Sequence, residues 1–192
     1  MKIGIYGGTF DPIHHGHLIL ARAAREQFEL DTIVFIPAAI SPHKLAAAPT
    51  PSAVRWEMIC ASIDGEPHFS ADDLELHRDG PSYTYDTALA YRLKYPGAEL
   101  FYFIGADNLR ALHTWHRIEE LKQLVTLIVF DRSESSSSEL AANDFPTVFG
   151  RFDISASDIR NRVAKGLSIR YLVTSAVDEL IRRHHLYPTP NH

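Results

Sequence analysis

The chain opens with a strand that runs into two glycines and then into a histidine-rich helix start, K-I-G-I-Y-G-G-T-F-D-P-I-H-H-G-H-L. Ile3, Ile5 and Tyr6, interleaved with Gly4, make a strand too apolar for an exposed edge and suited to the buried position of a parallel sheet. Gly7 and Gly8 allow a sharp turn and leave little side chain to keep a bulky anion away. Leu18, Ile19, Ala21, Arg22 and Ala24 continue as a helix with an apolar face, so Asp11–His17 falls at its N-terminal end. Unpaired N–H groups and the positive dipole end gather there, which suits a phosphate. His14 and His17, with Gly16 allowing close approach, add donors of tunable charge.

Composition narrows the function. With 192 residues and 45% hydrophobic content, the chain is long enough for one α/β domain spanning 1–192 and short for two. Lys and Arg number 19 against 24 Asp and Glu, a net charge of −5, so phosphate-binding charge is local. A general nucleic-acid binder is basic, and no nucleic-acid partner is expected. Cys60 is the only cysteine, which excludes an internal disulfide and a cysteine-only metal cluster; it reads as a small buried hydrophobe on a helix. No long apolar run occurs and Gly7, Gly8 and Asp11 interrupt the N-terminal one, so the expectation is a soluble, cytoplasmic protein with no membrane partner. Neither G-x-x-x-x-G-K-[ST] nor G-x-G-x-x-G is present, which disfavours a P-loop and hydride chemistry.

Strand signals recur at Lys2–Tyr6, Thr32–Pro37, Leu100–Ile104 and Leu124–Phe130, separated by helical patterns near Leu18–Phe28, Ser52–Ile63, Tyr83–Tyr95 and Ile118–Lys122. The alternation predicts a Rossmann-like α/β fold, a parallel sheet with helices on both faces. Gly7–His17, Pro37–Lys44, Gly105–Asp107 and Asp131–Arg132 all follow strands and should meet at the edge where such sheets bind ligands. The serine-rich stretch Ser133–Asp144 reads as a surface loop. Asp153–Lys165 reads as a small C-terminal helical unit capped by Ser155 and ended by Gly166, and a last helix covers about Ser175–His185.

The opening G-G-T-F-D-P-I-H-x-G-H resembles the signature of the H-x-G-H nucleotidylyltransferases, and within them that of the bacterial nicotinate-nucleotide adenylyltransferases. Four later segments are similar to that family in the same order. Ser41-Pro42-His43-Lys44 resembles its P-H-K element, which places Lys44 on substrate phosphate. Ser82-Tyr83-Thr84-x-Asp86-Thr87 resembles its S-Y-T-x-D-T, a helix start that receives the pyridine carboxylate, with Ser82 also read as the N-cap. Gly105-Ala106-Asp107 with Trp115 matches its G-x-D and downstream tryptophan, which implies ribose contact by Asp107 and ring stacking by Trp115. Ile154-Ser155-Ala156-Ser157-Asp158-Ile159-Arg160 resembles I-S-S-T-x-I-R, with Ala156 and Ser157 as departures; Ser157 and Arg160 are carried over as ATP-phosphate ligands. Arg132 is a weaker match, because Ser133-Glu134 replaces a glycine-containing continuation.

The resemblance implies adenylyl transfer from ATP to nicotinate mononucleotide, giving deamido-NAD and pyrophosphate. It puts His14, His17 and Lys44 at the chemistry. ATP contacts fall on Gly8, Thr9, Phe10, His14, His17, Asp107, Ser157 and Arg160, and mononucleotide contacts on Lys44, Ser82, Tyr83, Thr84, Asp107 and Trp115. No protein metal site is expected, so Mg²⁺ should arrive with ATP. The alternatives are a sister enzyme acting on phosphopantetheine or the amide mononucleotide, and a nucleotide-sensing module without turnover. The sequence leaves a homo-oligomer open.

Overall fold

Ile3 and Ile5 lie in β1 (Lys2–Gly8), the centre of a six-stranded sheet whose other strands are β2 (Thr32–Pro37), β3 (Phe69–Ala71), β4 (Glu99–Gly105), β5 (Thr126–Asp131) and β6 (Thr147–Phe149). The computed structural model describes residues 1–40, 49–131, 145–150 and 153–189. The strand order is β3-β2-β1-β4-β5-β6 and every pairing is parallel. The order reverses between β1 and β4, and a crevice opens there beyond the strand C-termini.

Among the described residues the α-helices are α1 (His15–Phe28), α2 (Ser52–Ile63), α3 (Thr84–Lys94), α4 (Ile118–Leu124), α5 (Ala156–Ala164) and α6 (Ser175–Arg183). Two-residue periodicity sends alternate strand side chains into two cores. Ile33, Phe35, Phe103, Ile128 and Phe130 pack with Leu20, Met58, Ile159 and Val177, from α1, α2, α5 and α6. Ile3, Ile5, Val34, Ile36, Leu127 and Val129 pack on the other face with Tyr85, Ala88 and Tyr91 of α3 and Leu121 of α4. Helices on both faces and the expected α/β architecture are thus observed.

The structure departs from the sequence expectations at several points. β3 and β6 are three-residue edge strands, too short to show a period. A 3-10 helix, Ala106–Thr114, follows β4 in a stretch to which the sequence reading assigned no element. Gly7 and Gly8 do not make the turn after β1; they stay in the strand, opposite Ile36 and Pro37. They are small for a different reason: a Cβ on Gly7 would overlap the Tyr102 hydroxyl, and one on Gly8 would come within 3.0 Å of the Phe10 ring. The chain turns instead at Phe10, in left-handed conformation at φ 48°. Cys60 lies on α2 as expected but is half-buried rather than buried.

Candidate active site

Beyond β1 and β4 lies a cavity of about 480 Å³, a size suited to a small-molecule site. Gly7, Gly8 and Thr9 form one wall, Ser82, Tyr83 and Thr84 a second, and Gly105, Asp107, Asn108 and Trp115 a third. His14, Gly16 and His17 close it at the start of α1, over an aromatic floor of Tyr6, Phe103 and Phe130. Tyr6 contacts Phe103 at 5.6 Å and Phe130 at 5.1 Å, both edge to face, the geometry that aromatic pairs prefer.

The two histidines are locked together. His14 is the N-cap of α1 and is 2% exposed. Its backbone N–H donates to His17 Nδ1 at 3.2 Å, and the rings stack at 3.7 Å. Because Nδ1 accepts, the neutral His17 ring carries its proton on Nε2, which makes that atom a donor. Edge contacts to Phe10 at 5.1 Å and Tyr6 at 5.9 Å hold the ring plane. Not every N–H at this helix start is available: that of His15 goes to Leu172 O at 2.9 Å.

At the start of α3 the arrangement differs from the expected cap. Tyr83, not Ser82, is the N-cap, and the Ser82 hydroxyl instead accepts the Ala39 N–H at 3.0 Å, tying this turn to the end of β2. The Ser82 N–H goes to Ile40 O and the Tyr83 N–H to Pro81 O, both at 3.0 Å, so two of the three predicted donors are engaged by backbone. Among the described backbone hydrogen bonds outside regular elements, none uses the Thr84 N–H. The Tyr83 ring stacks on His116 at 4.4 Å and Arg117 sits over Tyr85 at 4.0 Å, which fixes α3 against the segment carrying Trp115.

The match of this layout to known proteins is full-length. Residues 5–162 fit the model of the cytidylyltransferase-like family. A Shouchella clausii protein named "probable nicotinate-nucleotide adenylyltransferase" is 43% identical over 99% of this chain and 98% of its own. One of the same name from Thermus thermophilus is 41% identical over 97% of this chain and 100% of its own. The chain belongs to the nicotinate-nucleotide adenylyltransferase family. A Plasmodium falciparum nicotinic acid mononucleotide adenylyltransferase, solved in complex with NaAD, shares the fold with a TM-score of 0.81 at 21% identity, covering 97% of each chain.

Against that family's motifs, the cavity brings together Gly8, Thr9, His14, His17, Ser82, Tyr83, Thr84, Asp107 and Trp115. Phe10 is not part of the wall; it is 3% exposed, with its ring against Tyr6 and His17. Ser157 and Arg160 are not part of the wall. Arg160 Nη1 donates to Asp11 O at 2.7 Å and Nη2 to Ser157 Oγ at 3.1 Å, so the guanidinium fork bridges α5 and the loop after β1. Ser155 caps α5 as expected, accepting from the Asp158 N–H at 3.0 Å. Lys44, the rest of 41–48, Arg132 and the 133–144 loop lie outside the described residues.

Several wall and support residues escape motif reading. Asn108 and Thr114 line the cavity from the 3-10 helix. Glu75 is 3% exposed and accepts from the Thr87 hydroxyl at 2.5 Å. Burial pushes its carboxyl pKa up, while the Thr87 and Ser82 hydroxyls and Arg78 pull it back. Tyr102 is buried beside it, which raises its phenol pKa. The signal for Glu75 is its place, with Arg78, just ahead of G-P-S-Y-T.

Proposed function

We propose that this chain transfers the adenylyl group of ATP to nicotinate mononucleotide, forming deamido-NAD and pyrophosphate in NAD biosynthesis. The observation that carries the reading is one cavity lined at once by the H-x-G-H histidines, the start of α3 and Trp115. The names of the full-length relatives support the same substrate pair. We place the whole chain in one nucleotidylyltransferase domain acting in the cytoplasm; among the described residues no helix is long and apolar enough to cross a membrane.

The attacking group is the phosphate of the mononucleotide, whose second pKa is about 6, so it is largely dianionic at neutral pH and needs no strong general base. Catalysis is therefore positioning and charge stabilisation. An oxygen of that phosphate approaches the ATP α-phosphorus in line with the departing pyrophosphate. His17 Nε2–H serves an equatorial α-phosphate oxygen, and His14 holds His17 through the N-cap bond and the ring stack. Gly8, Thr9 and Phe10 supply the backbone beside the phosphates, Asp107 accepts from ribose, and Lys44, Ser157 and Arg160 serve the remaining phosphate charge. Trp115 stacks on the pyridine ring, and its carboxylate meets the start of α3, with Thr84 N–H as the available donor of the Ser82–Thr84 turn.

Among the described residues no group of three or more His, Cys, Asp or Glu could hold a metal ion. We propose that Mg²⁺ enters as the ATP complex, where it would neutralise charge on the phosphate oxygens. The test is incubation with ATP and Mg²⁺ against nicotinate mononucleotide, its amide and phosphopantetheine separately, with the dinucleotide product identified. Deamido-NAD with pyrophosphate is expected; product only from phosphopantetheine, or binding without pyrophosphate release, overturns the reading.

A further inference from the structure

Arg55 is the largest fully buried side chain of the described residues, at 1% exposure, and it carries a charge into the core of α2. It holds position for Met58 and Ile59, three and four residues on, which are fully buried on the same helix face. A guanidinium survives there only with its donors used and a counter-charge near. Nε donates to Thr50 O at 2.9 Å and Nη1 to Thr9 O at 2.7 Å. Asp11 supplies the opposite charge through space, while its carboxylate accepts from Thr50 N–H at 3.1 Å and from the Tyr187 hydroxyl at 2.6 Å. Burial pulls the Arg55 pKa down and Asp11 pulls it back.

The bond to Thr9 O has a directional effect. In a trans peptide the C=O and N–H point opposite ways, so drawing the Thr9 carbonyl toward Arg55 turns the Phe10 N–H away from Arg55. Gly8 and Thr9, which precede that N–H, line the cavity. Phe10 is itself left-handed, a conformation costly for a bulky residue that persists only where its surroundings impose it. Among the described backbone hydrogen bonds outside regular elements, none uses the Phe10 N–H.

We infer that Arg55 is a positioning residue for adenylyl transfer: acting through the Thr9–Phe10 peptide, it presets the Phe10 N–H as a donor to a phosphate oxygen of ATP. The inference rests on the reading of the cavity as an ATP site. Asp11 keeps the guanidinium charged in place, and Arg160, on the Asp11 carbonyl, holds the far end of the same loop.

Two measurements test it. In the wild-type protein, the amide resonance of Phe10 is followed while ATP and Mg²⁺ are added without mononucleotide; a downfield shift of its proton is expected, and an unmoved resonance overturns the inference. Separately, Arg55→Met, which keeps bulk without donors, and Arg55→Lys, which keeps charge without the fork, are assayed with each substrate varied. Misplacing one phosphate donor should lower kcat/KM for ATP in Arg55→Met by about tenfold to a hundredfold, with Arg55→Lys between it and wild type. KM for the mononucleotide should stay within about twofold. Folded Arg55→Met with wild-type kcat/KM for ATP overturns the inference, as does an equal loss toward both substrates, which would mark a purely structural residue. Should neither variant fold, an unmoved Phe10 amide still overturns the inference. If instead the wild-type protein binds ATP but makes no deamido-NAD, the functional reading fails while the Phe10 result still stands.

Discussion

Replacing His17 separates two roles that one ring performs. His17→Ala deletes the Nε2–H donor, the Nδ1 that accepts the His14 N–H, and the stack on His14. Loss of a preorganised donor to developing charge is worth about 2.7–4 kcal/mol, so kcat should fall by about a hundredfold to a thousandfold. The fold should suffer less. The lost hydrogen bond contributes about 0.5–1.5 kcal/mol and the ring contact a comparable amount. Water can reach the vacated N-cap from the cavity, so the lower half of that sum applies, about 1–2 kcal/mol, or about 2–8 °C in Tm for a domain of this size. Two further variants pull the roles apart. The Oδ1 of His17→Asn can stand where Nδ1 stood and accept the cap bond, but nothing then reaches the Nε2 position. His17→Gln places an N–H near Nε2 and leaves the cap unmade. Steady-state pyrophosphate release and thermal melts on all three should give Asn near-wild-type Tm with low kcat, and Gln partial kcat with lowered Tm. Near-wild-type kcat in folded His17→Ala, or recovery of kcat by Asn alone, would refute the donor assignment.

Arg160→Lys keeps the charge but cannot span Asp11 O and Ser157 Oγ together, so KM for ATP should rise while that for the mononucleotide changes little; indistinguishable kinetics in both substrates would return Arg160 to a surface role. The acid mononucleotide should be preferred over its amide by roughly tenfold to a hundredfold in kcat/KM, because a charge-assisted bond to the α3 start is lost with the amide. Trp115→Ala should weaken both substrates and leave that ratio standing; a wild-type ratio near one contradicts the pyridine pocket. Glu75 has a folded pKa raised by burial, so its contribution to stability is complete below the unfolded pKa of about 4.3 and is lost as pH rises through the folded value. Glu75→Gln, which keeps an acceptor for the Thr87 hydroxyl, should therefore gain Tm relative to wild type between pH 4 and 7, and a pH-independent difference in Tm would contradict the assigned cause.

Long apolar runs made β1, β2, β4 and β5 legible, because three to five consecutive buried positions leave little freedom, and the bounds of α2 agree with the reading to the residue. Phe69-Ser70-Ala71 and Thr147-Val148-Phe149 become strands only because a formed sheet offers them an edge, a non-local cause that leaves no period behind. The site divides in the same way. His14, His17, the α3 start and Trp115 sit in contiguous motifs and were readable. Arg55, Glu75 and Tyr102 act through neighbours far along the chain, and no contiguous motif marks them. Ser82 was misread because a serine before a helix can serve either its own helix or another strand, and here Ala39 claims its hydroxyl. Gly7 and Gly8 were read as a turn, whereas the Tyr102 hydroxyl and the Phe10 ring are what forbid a side chain there.

Asp11 is held by Arg160 and by Tyr187, across 149 and 176 residues of sequence. The loop that follows β1 is thus among the first parts of the described chain to leave the ribosome and among the last to acquire its partners. At about 5–20 residues per second, the gap between Asp11 and Tyr187 is on the order of 10–35 s of synthesis. Through that interval the strand and helix on either side can already pair and pack, while the loop between them has no lasting geometry. A nascent chain stalled short of Tyr187 should accordingly carry most of the sheet and almost none of the competence to engage a nucleotide.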